Sequence, residues 1–244
     1  MPICGTPATI GTGKVSGRLI IAIDGPVGAG KSTAARLLAD RLGYRYIDSG
    51  AMYRALAWKA LQAGLNLDDE ERLCRLADAT SITFESTADR LLVRVDGQNV
   101  SRQIREREVE QASSTISTLA GVRRVMVARQ REMAAHGGVV MDGRDIGTVV
   151  FPDADLKFYL EARLAERAKR RQLEARVKGG NRGLEELTEE IRARDAQDMS
   201  RTASPLRKAD DAVTIDTTHL DPSEVVGMME ESIRKRIVAA SDSS

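Results

Sequence analysis

The stretch IDGPVGAGKST, at residues 23–33, decides which fold this chain is expected to adopt. Within it, residues 25–32 match the pattern G-x-x-x-x-G-K-[ST] at every fixed position. The apolar run at residues 18–24 precedes the glycines and is typical of a strand buried on both faces. Residues 32–42 follow with apolar side chains at helical spacing, and Gly43 ends them. The sequence therefore predicts a strand, a glycine-rich turn and a helix in succession, which is the setting of a phosphate-binding loop (P-loop).

Each residue type in this loop suits the binding of a nucleoside triphosphate. Glycines let the backbone approach phosphate oxygens in conformations that a Cβ atom would forbid, and N–H groups at the helix N-terminus supply partial positive charge. The Lys31 ammonium can reach the β- and γ-phosphates, and the Ser32 hydroxyl is placed to ligate Mg²⁺. We therefore expect a nucleoside triphosphate, together with Mg²⁺, to bind in this loop. The residues expected to hold it are Gly25, Pro26, Val27, Gly28, Ala29, Gly30, Lys31, Ser32 and Thr33.

Four further apolar runs predict the other strands of a parallel sheet. They are residues 44–47, 139–142, 155–160 and 212–215, and helical patterns separate them. Residues 161–200 have the pattern of a long charged helical region. Alternation of strands and helices is typical of α/β proteins, so we expect a doubly wound, five-stranded parallel sheet of the P-loop type.

The middle of the chain has a different pattern, which predicts a small antiparallel sheet inserted into this core. Residues 81–85 and 91–95 are rich in strand-forming residues. Asp96-Gly97 is a turn signal before residues 98–100.

The composition excludes several classes of function. Lys plus Arg number 37 and Asp plus Glu number 36, so no net field would hold a nucleic-acid polymer or an anionic membrane. No run approaches the roughly 18 apolar residues of a membrane span. Cys4 and Cys74 are the only cysteines, and Cys4 lies in residues 1–17, which we expect to be a flexible leader. A reducing compartment, the cytoplasm, is the expected location.

A P-loop alone does not distinguish kinases from GTPases and ATPases. The guanine-reading pattern N-K-x-D is absent, because none of Asn66, Asn99 and Asn181 precedes a lysine. The sequence therefore argues against a GTPase.

Arginines stand beside the predicted C-terminal ends of strands, where open α/β sheets bind ligands. Arg54 follows the second strand and Arg144 the third. Arginine forms bidentate contacts with phosphate, so both are candidate anion ligands. Further along, Arg194, Asp198 and Arg201 share one helix face. Taken alone, this spacing favours a solvated ladder of surface ion pairs. The same caution applies to Arg167, Arg170 and Arg171.

Four stretches of the sequence resemble the bacterial cytidylate kinases. They are IDGPVGAGKST at 23–33, DSGAMYR at 48–54, DGRDIGTVVFPDA at 142–154 and RDAQDMSR at 194–201, the last followed by Ser204-Pro205-Leu206. The resemblance extends from about residue 19 to residue 236. It implies a kinase that transfers the γ-phosphoryl group of ATP directly, in line, to CMP and to dCMP.

The resemblance also implies how the chain is divided. A P-loop core would comprise residues 18–49, 121–170 and 187–244. A monophosphate-binding region with the inserted sheet would occupy residues 50–120, and a helical lid residues 171–186.

Site residues follow from the same resemblance, position by position. The expected contacts with CMP are Ser49, Ser114, Arg123 and Asp145 to the cytosine, Arg194 and Asp198 to the ribose, and Arg54, Arg144 and Arg201 to the phosphate. The residues expected to act in catalysis are Lys31, Arg144, Arg167 and Arg171, of which Arg167 and Arg171 would close over the ATP phosphates from the lid side.

The expected mechanism needs no general base. A phosphate monoester is already largely dianionic at neutral pH, and His136 and His219 sit in unremarkable polar contexts. The protein is therefore expected to act by positioning the two polyanionic substrates and neutralising their charge. We expect a monomer. Two alternatives stay open, a kinase for another small acceptor such as a different nucleotide or shikimate, and a nucleotide-dependent binding switch without turnover.

Overall fold

The computed structural model describes residues 18–86, 91–177 and 180–241; the predicted leader, with Cys4, lies outside the described residues. The strands are β1 (Ile20–Asp24), β2 (Arg45–Asp48), β3 (Ile82–Ser86), β4 (Leu91–Val95), β5 (Gln98–Asn99), β6 (Val139–Asp142), β7 (Leu156–Glu161) and β8 (Val213–Asp216). The α-helices are α1 (Lys31–Leu42), α2 (Ser49–Gln62), α3 (Glu70–Ala79), α4 (Arg107–Ile116), α5 (Ala120–Met133), α6 (Leu164–Val177), α7 (Leu184–Ser200) and α8 (Pro222–Ser241). A 3₁₀ turn at Gln103–Arg105 and a π-helical turn at Ile146–Val150 complete them.

The main sheet has five parallel strands in the order β2-β6-β1-β7-β8, which confirms the predicted fold class. Strand β1 lies in the centre and pairs with β6 and β7. Its residues Ile21, Ala22 and Ile23 have no exposed surface, as a run that is apolar on both sides requires.

Alternating residues of the central strands explain why helices cover both faces of the sheet. Ala22 and Met141 belong to one apolar cluster, which includes residues of α2, α3 and α5. Ile23 and Val140 belong to a second cluster, formed with α1 and α8. Successive strand residues point to opposite faces, so each cluster takes every second residue.

The small sheet is antiparallel, with the order β3-β4-β5, as predicted. Ile82 pairs with Val95, and Val95 pairs with Gln98. Between β4 and β5 the chain turns through Asp96 and Gly97, with φ of 49° and 82°. Two successive residues in the left-handed region are the signature of the turn that suits a tight hairpin.

The predicted helical region at residues 161–200 is divided into two helices. Helix α6 ends at Val177 and α7 begins at Leu184. Gly180 and Gly183 lie in the connection between them, of which residues 178 and 179 are outside the described part. The residues predicted to form the lid therefore include the end of α6, this connection and the start of α7. In the described part of the chain, no helix is both long enough and apolar enough to cross a membrane.

Candidate active site

A cleft of about 540 Å³ opens at the C-terminal ends of β1, β2 and β6. A second cleft, of about 590 Å³, lies between α4, α6 and α7 and shares part of its wall with the first. The predicted site residues that line the first cleft are Val27, Gly28, Gly30, Lys31, Ser32, Thr33, Ser49, Arg54, Arg123, Arg144, Asp145, Arg171, Arg194, Asp198 and Arg201. Ser114 lines the second cleft. Gly25, Pro26, Ala29 and Arg167 line neither.

At two glycines of the P-loop, both with positive φ, a side chain would also collide with a neighbouring element. Gly25 has φ of 144°, and a Cβ atom there would lie 2.0 Å from the carbonyl oxygen of Leu160 on β7. Gly28 has φ of 77°, and a Cβ atom would lie 3.0 Å from the Cβ of Arg167. The first glycine therefore lets the loop cross beside the sheet, and the second lets α6 pack directly on the loop.

Lys31 is buried at the start of α1, and its ammonium points into the P-loop. The Nζ atom donates to the carbonyl oxygen of Pro26 at 2.7 Å. Burial, together with the nearby Arg144 guanidinium, lowers the pKa of Lys31 to about 7. The lysine thus lies where an added polyanion would favour its charged form.

Binding of ATP at pH 8 should therefore take up close to one proton. A triphosphate beside Lys31 raises its pKa, so the complex binds more protons than the free protein, and the affinity for ATP should fall as the pH rises above about 7. Calorimetric titrations in buffers of different ionisation enthalpy would measure the uptake. Lys31→Ala is the control, because an equal uptake by that variant would assign the proton to Asp24 or Asp142 instead, and no uptake by the native chain would contradict the prediction.

Two carboxylates that the sequence analysis did not select lie beside Lys31. Asp142, at the end of β6, accepts hydrogen bonds from Ser32 Oγ at 2.9 Å and from the Tyr46 hydroxyl at 2.8 Å. Burial, together with the neighbouring Asp48, raises the pKa of Asp142 to about 6. An acidic residue that ends a buried strand next to the P-loop strand was a signal available in the sequence, since P-loop proteins hold Mg²⁺ with the P-loop hydroxyl and such an aspartate.

Asp24, the second of these carboxylates, joins β1 to the loop that follows β6. It accepts hydrogen bonds from the backbone N–H groups of Ile146 at 2.8 Å and Gly147 at 2.7 Å. Burial raises the pKa of Asp24 to about 7. The contacts fix the loop that carries Arg144 and Asp145. No sequence signal identified this role, because its partners are 122 and 123 residues away.

Asp198, on α7, lies within a cluster of three arginines that line the first cleft. Arg144 Nε lies 2.8 Å from its carboxylate, Arg201 Nη1 3.6 Å and Arg194 Nε 3.8 Å. Burial alone would raise the pKa of Asp198, but Arg144, Arg194 and Arg201 outweigh it and leave that pKa lowered. The helix face is therefore buried, and its ion pairs are not the solvated ladder that the spacing alone favoured.

The arginines around Asp198, taken together with Arg54, carry more positive than negative charge and have donors without a hydrogen-bond partner. Arg201 Nη2, Arg194 Nε and Arg54 Nε are buried and make no hydrogen bond within the described residues. An unpaired buried donor costs about 1–3 kcal/mol. Arg54 is oriented by Asp48, at 3.1 Å, and that carboxylate also caps α2 through the Ala51 N–H. These features fit a site for a strongly anionic ligand.

Arg123 and Asp145 form a buried ion pair that lines the same cleft. The Arg123 guanidinium also lies 5.6 Å from the centre of the Tyr53 ring, and it donates to the Ser117 carbonyl at 3.2 Å. The second Asp145 oxygen, Oδ1, makes no hydrogen bond among the described residues. Ser49 Oγ donates to the Asp142 carbonyl at 2.7 Å. In the second cleft, Ser114 Oγ contacts Gln197 at 2.7 Å.

Arg167 and Arg171, one turn apart on α6, have different surroundings. Arg167 is buried and donates to the Val27 carbonyl at 2.9 Å and to Asp195 at 2.6 Å. Arg171 lines both clefts and lies 3.5 Å from Glu110 of α4 and 3.3 Å from Glu174. Asp195 was not selected from the sequence.

Comparisons with known proteins show which family the chain resembles. The family model described as cytidylate kinase matches residues 21–235. The chain is 47% identical over 219 residues to a cytidylate kinase from Geobacter sp. (strain M21), which covers 90% of this chain and 94% of that protein. It is 51% identical over 217 residues to a cytidylate kinase from Geobacillus sp. (strain WCH70), covering 89% and 97%.

A solved structure, that of a gluconokinase from Sinorhizobium meliloti 1021, superposes with a TM-score of 0.50 at 14% identity, covering 93% of this chain and 97% of the other. This likeness concerns the fold alone.

Proposed function

The chain belongs to the cytidylate kinase family and so phosphorylates CMP with ATP, and on this premise we propose that it also accepts dCMP and transfers the phosphoryl group directly, in line. The observation that carries the direct transfer is that one cleft holds both Lys31 of the P-loop and the arginines around Asp198. Two sites for anions in one cleft suit a donor and an acceptor that react without a protein-bound intermediate.

On the donor side, the P-loop N–H groups and Lys31 would hold the β- and γ-phosphates. Ser32 and Asp142 are the residues that would hold Mg²⁺, and their oxygens lie 2.9 Å apart. When bound, that ion would neutralise charge on the phosphates during transfer. In the described ranges, no group of three or more His, Cys, Asp or Glu residues could hold a metal ion. Arg167 and Arg171 would approach from the lid side.

On the acceptor side, Arg54, Arg144 and Arg201 would bind the phosphate of CMP, and Arg194 and Asp198 the ribose. The unused donors of Arg54 and Arg201 support this assignment. Because the attacking atom is already an anionic phosphate oxygen, these arginines need only offset repulsion between two polyanions. We assign residues 50–120 to monophosphate binding and residues 171–186 to a lid that excludes water.

Ser49, Ser114, Arg123 and Asp145 are the proposed contacts to cytosine. Ser49, Arg123 and Asp145 line the first cleft, whereas Ser114 lines the second and contacts Gln197. A further proposal is that the chain acts as a cytoplasmic monomer. The support for the cytoplasm is that the sequence has only two cysteines, too few for a disulfide framework.

Product analysis tests the proposed function. With ATP and Mg²⁺, CMP should yield CDP and ADP, and dCMP should yield dCDP. UMP, AMP and shikimate in the same assay test the alternative acceptors, and omission of Mg²⁺ tests the ion. Nucleotide binding without formation of ADP would instead identify a binding switch.

Replacing Asp145 with asparagine should reduce the preference for CMP over UMP by about 1–3 kcal/mol, the scale of one base-edge contact. Cytosine presents an amino group where uracil presents a carbonyl, and an ionised carboxylate can only accept. Asparagine keeps the shape and adds a donor that uracil can use. Catalytic efficiencies with both acceptors give the ratio.

Loss of the pair with Arg123 will also lower both efficiencies, so the ratio decides the role of Asp145. Asp153→Asn, an exposed carboxylate beyond the same loop, is the matched control. A uniform loss with an unchanged CMP to UMP ratio would assign Asp145 to the structure of the loop alone.

A further inference from the structure

Helix α7 carries two buried carboxylates, Asp195 and Asp198, which are 8% and 2% exposed. Three residues apart, they lie on the same side of the helix. Asp198 contacts the arginines of the proposed acceptor site. Asp195 contacts neither those arginines nor any residue of the small sheet in the described part of the chain, and its partners belong to α6 and the P-loop. Through these two aspartates, one helix contacts both the proposed acceptor site and the P-loop.

Asp195 and its ion-pair partner Arg167 together contact both backbone polar groups of one P-loop residue, Val27. Its Oδ1 atom accepts from the Val27 N–H at 3.3 Å, and its Oδ2 atom pairs with Arg167 Nη1 at 2.6 Å. The same Nη1 donates to the Val27 carbonyl at 2.9 Å. The Asp195–Arg167 pair therefore hydrogen-bonds both the backbone N–H and the backbone carbonyl of Val27, at the apex of the loop.

These contacts also fix the orientation of the Arg167 guanidinium. Its Nε donates to the Ala162 carbonyl at 3.0 Å, so Nε and Nη1 both hydrogen-bond to other atoms of the protein. The third nitrogen, Nη2, makes no hydrogen bond within the described residues. Because Arg167 Cβ would lie 3.0 Å from a Cβ at Gly28, the arginine stem rests directly on the loop. One edge of the guanidinium is thus left for a ligand beside the P-loop.

We propose that Asp195 is a positioning residue, which holds Arg167 and the P-loop apex in the arrangement that receives the donor phosphates. The proposal rests on the proposed role of Arg167 toward ATP. Without the carboxylate, a buried guanidinium loses its charged partner, and a freed arginine must be reordered each time ATP binds. Asp195 acts through Arg167 and the loop, and it touches neither the base nor the phosphate of CMP.

A double-mutant cycle with Arg167→Ala and Asp195→Asn tests this proposal. Asparagine keeps an oxygen for the Val27 N–H but removes the charge that orients Arg167. We expect Asp195→Asn to lower kcat/KM for ATP by about tenfold or more, the scale of one charge-assisted contact. KM for CMP should stay within about twofold, and in the Arg167→Ala background Asp195→Asn should have a further effect below about threefold.

Several outcomes would overturn the proposal, and they can be told apart. If Arg167→Ala lowers kcat/KM for ATP but the two substitutions act additively, Asp195 does not act through Arg167. If Asp195→Asn lowers only the melting temperature, or changes KM for CMP as much as KM for ATP, its role is structural. If Arg167→Ala itself leaves ATP kinetics unchanged, the donor-side role of Arg167 fails and this proposal fails with it, whereas absence of CDP formation by the native chain would overturn the function itself.

Two further variants keep the test decisive. Glu189→Gln, on the exposed side of the same helix, should leave the kinetics with both substrates unchanged. If circular dichroism shows that Asp195→Asn does not fold, Arg167→Lys replaces it, because lysine keeps a charge for Asp195 but has no second nitrogen to offer a phosphate. A native KM for ATP in a folded Arg167→Lys variant would overturn the proposal.

Discussion

Lys31→Ala should reduce turnover by about 10²-fold or more while the chain stays folded. The Lys31 ammonium is held at the P-loop by the Pro26 carbonyl, at 2.7 Å, where charge builds up between the β- and γ-phosphates during transfer. A preorganised donor in a buried site costs about 10²–10³-fold in rate when removed. Burial disfavours the charged lysine, as its lowered pKa indicates, so alanine should not reduce the free energy of unfolding markedly.

Steady-state kinetics and thermal unfolding of the same preparation would measure both effects. Lys235→Ala, an exposed lysine of α8 in an exposed ion pair, is the matched control and should retain native turnover. Near-native turnover by the Lys31 variant would contradict the proposed role, and a collapse of the melting temperature would leave the kinetic loss attributable to unfolding.

Asp198→Ala should lower both stability and activity. Alanine leaves Arg144, Arg194 and Arg201 together without their carboxylate, and breaking a buried pair on one side typically costs about 3–5 kcal/mol. We expect about 3 kcal/mol, because Arg144 and Arg194 are partly exposed. Catalytic efficiency toward CMP should fall by about 100-fold or more, since the proposed ribose contact is lost and the arginines proposed to bind the phosphate lose the carboxylate that positions them.

The dependence of the Asp198 effect on pH distinguishes an ion pair from simple packing. The pKa of Asp198 is lowered from its ordinary value of 3.8. Its electrostatic contribution is therefore complete above pH 3.8 and is lost as the pH falls through the lower folded-state value. Denaturant unfolding of the native chain and of Asp198→Asn should differ at pH 7 and converge in strong acid.

Glu189→Ala, which removes an exposed ion pair from the same helix, controls for helix propensity and should change stability by less than about 1 kcal/mol. An equally small effect of Asp198→Ala at pH 7 would show that the arginine cluster does not depend on this carboxylate.

Local sequence was enough to predict the P-loop and the strands around it. The glycines in residues 23–33 already indicate the backbone path of the loop. In the structure, a side chain at Gly25 or Gly28 would indeed be too close to its neighbours. Apolar runs identified all five parallel strands, and Asp96-Gly97 identified the hairpin of the small sheet. These features depend on residues that are contiguous in the chain, so propensity and periodicity are sufficient to reveal them.

Helices were less fully predicted than strands. The charged pattern of residues 161–200 concealed the break between α6 and α7, although glycines mark it. Helix α3 was not identified as a separate element, although Asp69 is a capping residue whose side chain accepts from the Arg72 N–H.

The assignment of ion pairs to the site or to the surface was decided only by the tertiary structure. Helical spacing places Arg194, Asp198 and Arg201 on one face whether that face is solvated or buried. Arg144, which lies 54 residues before Asp198 in the sequence, contacts it at 2.8 Å and identifies the face as part of the cleft. The Asp195 side chain accepts a hydrogen bond from the Val27 N–H, although the two residues are 168 positions apart in the sequence. The sequence determined the phosphate-binding loop because its geometry is local, whereas burial and distant partners, which give a charged residue its role, depend on how separate helices and strands pack together.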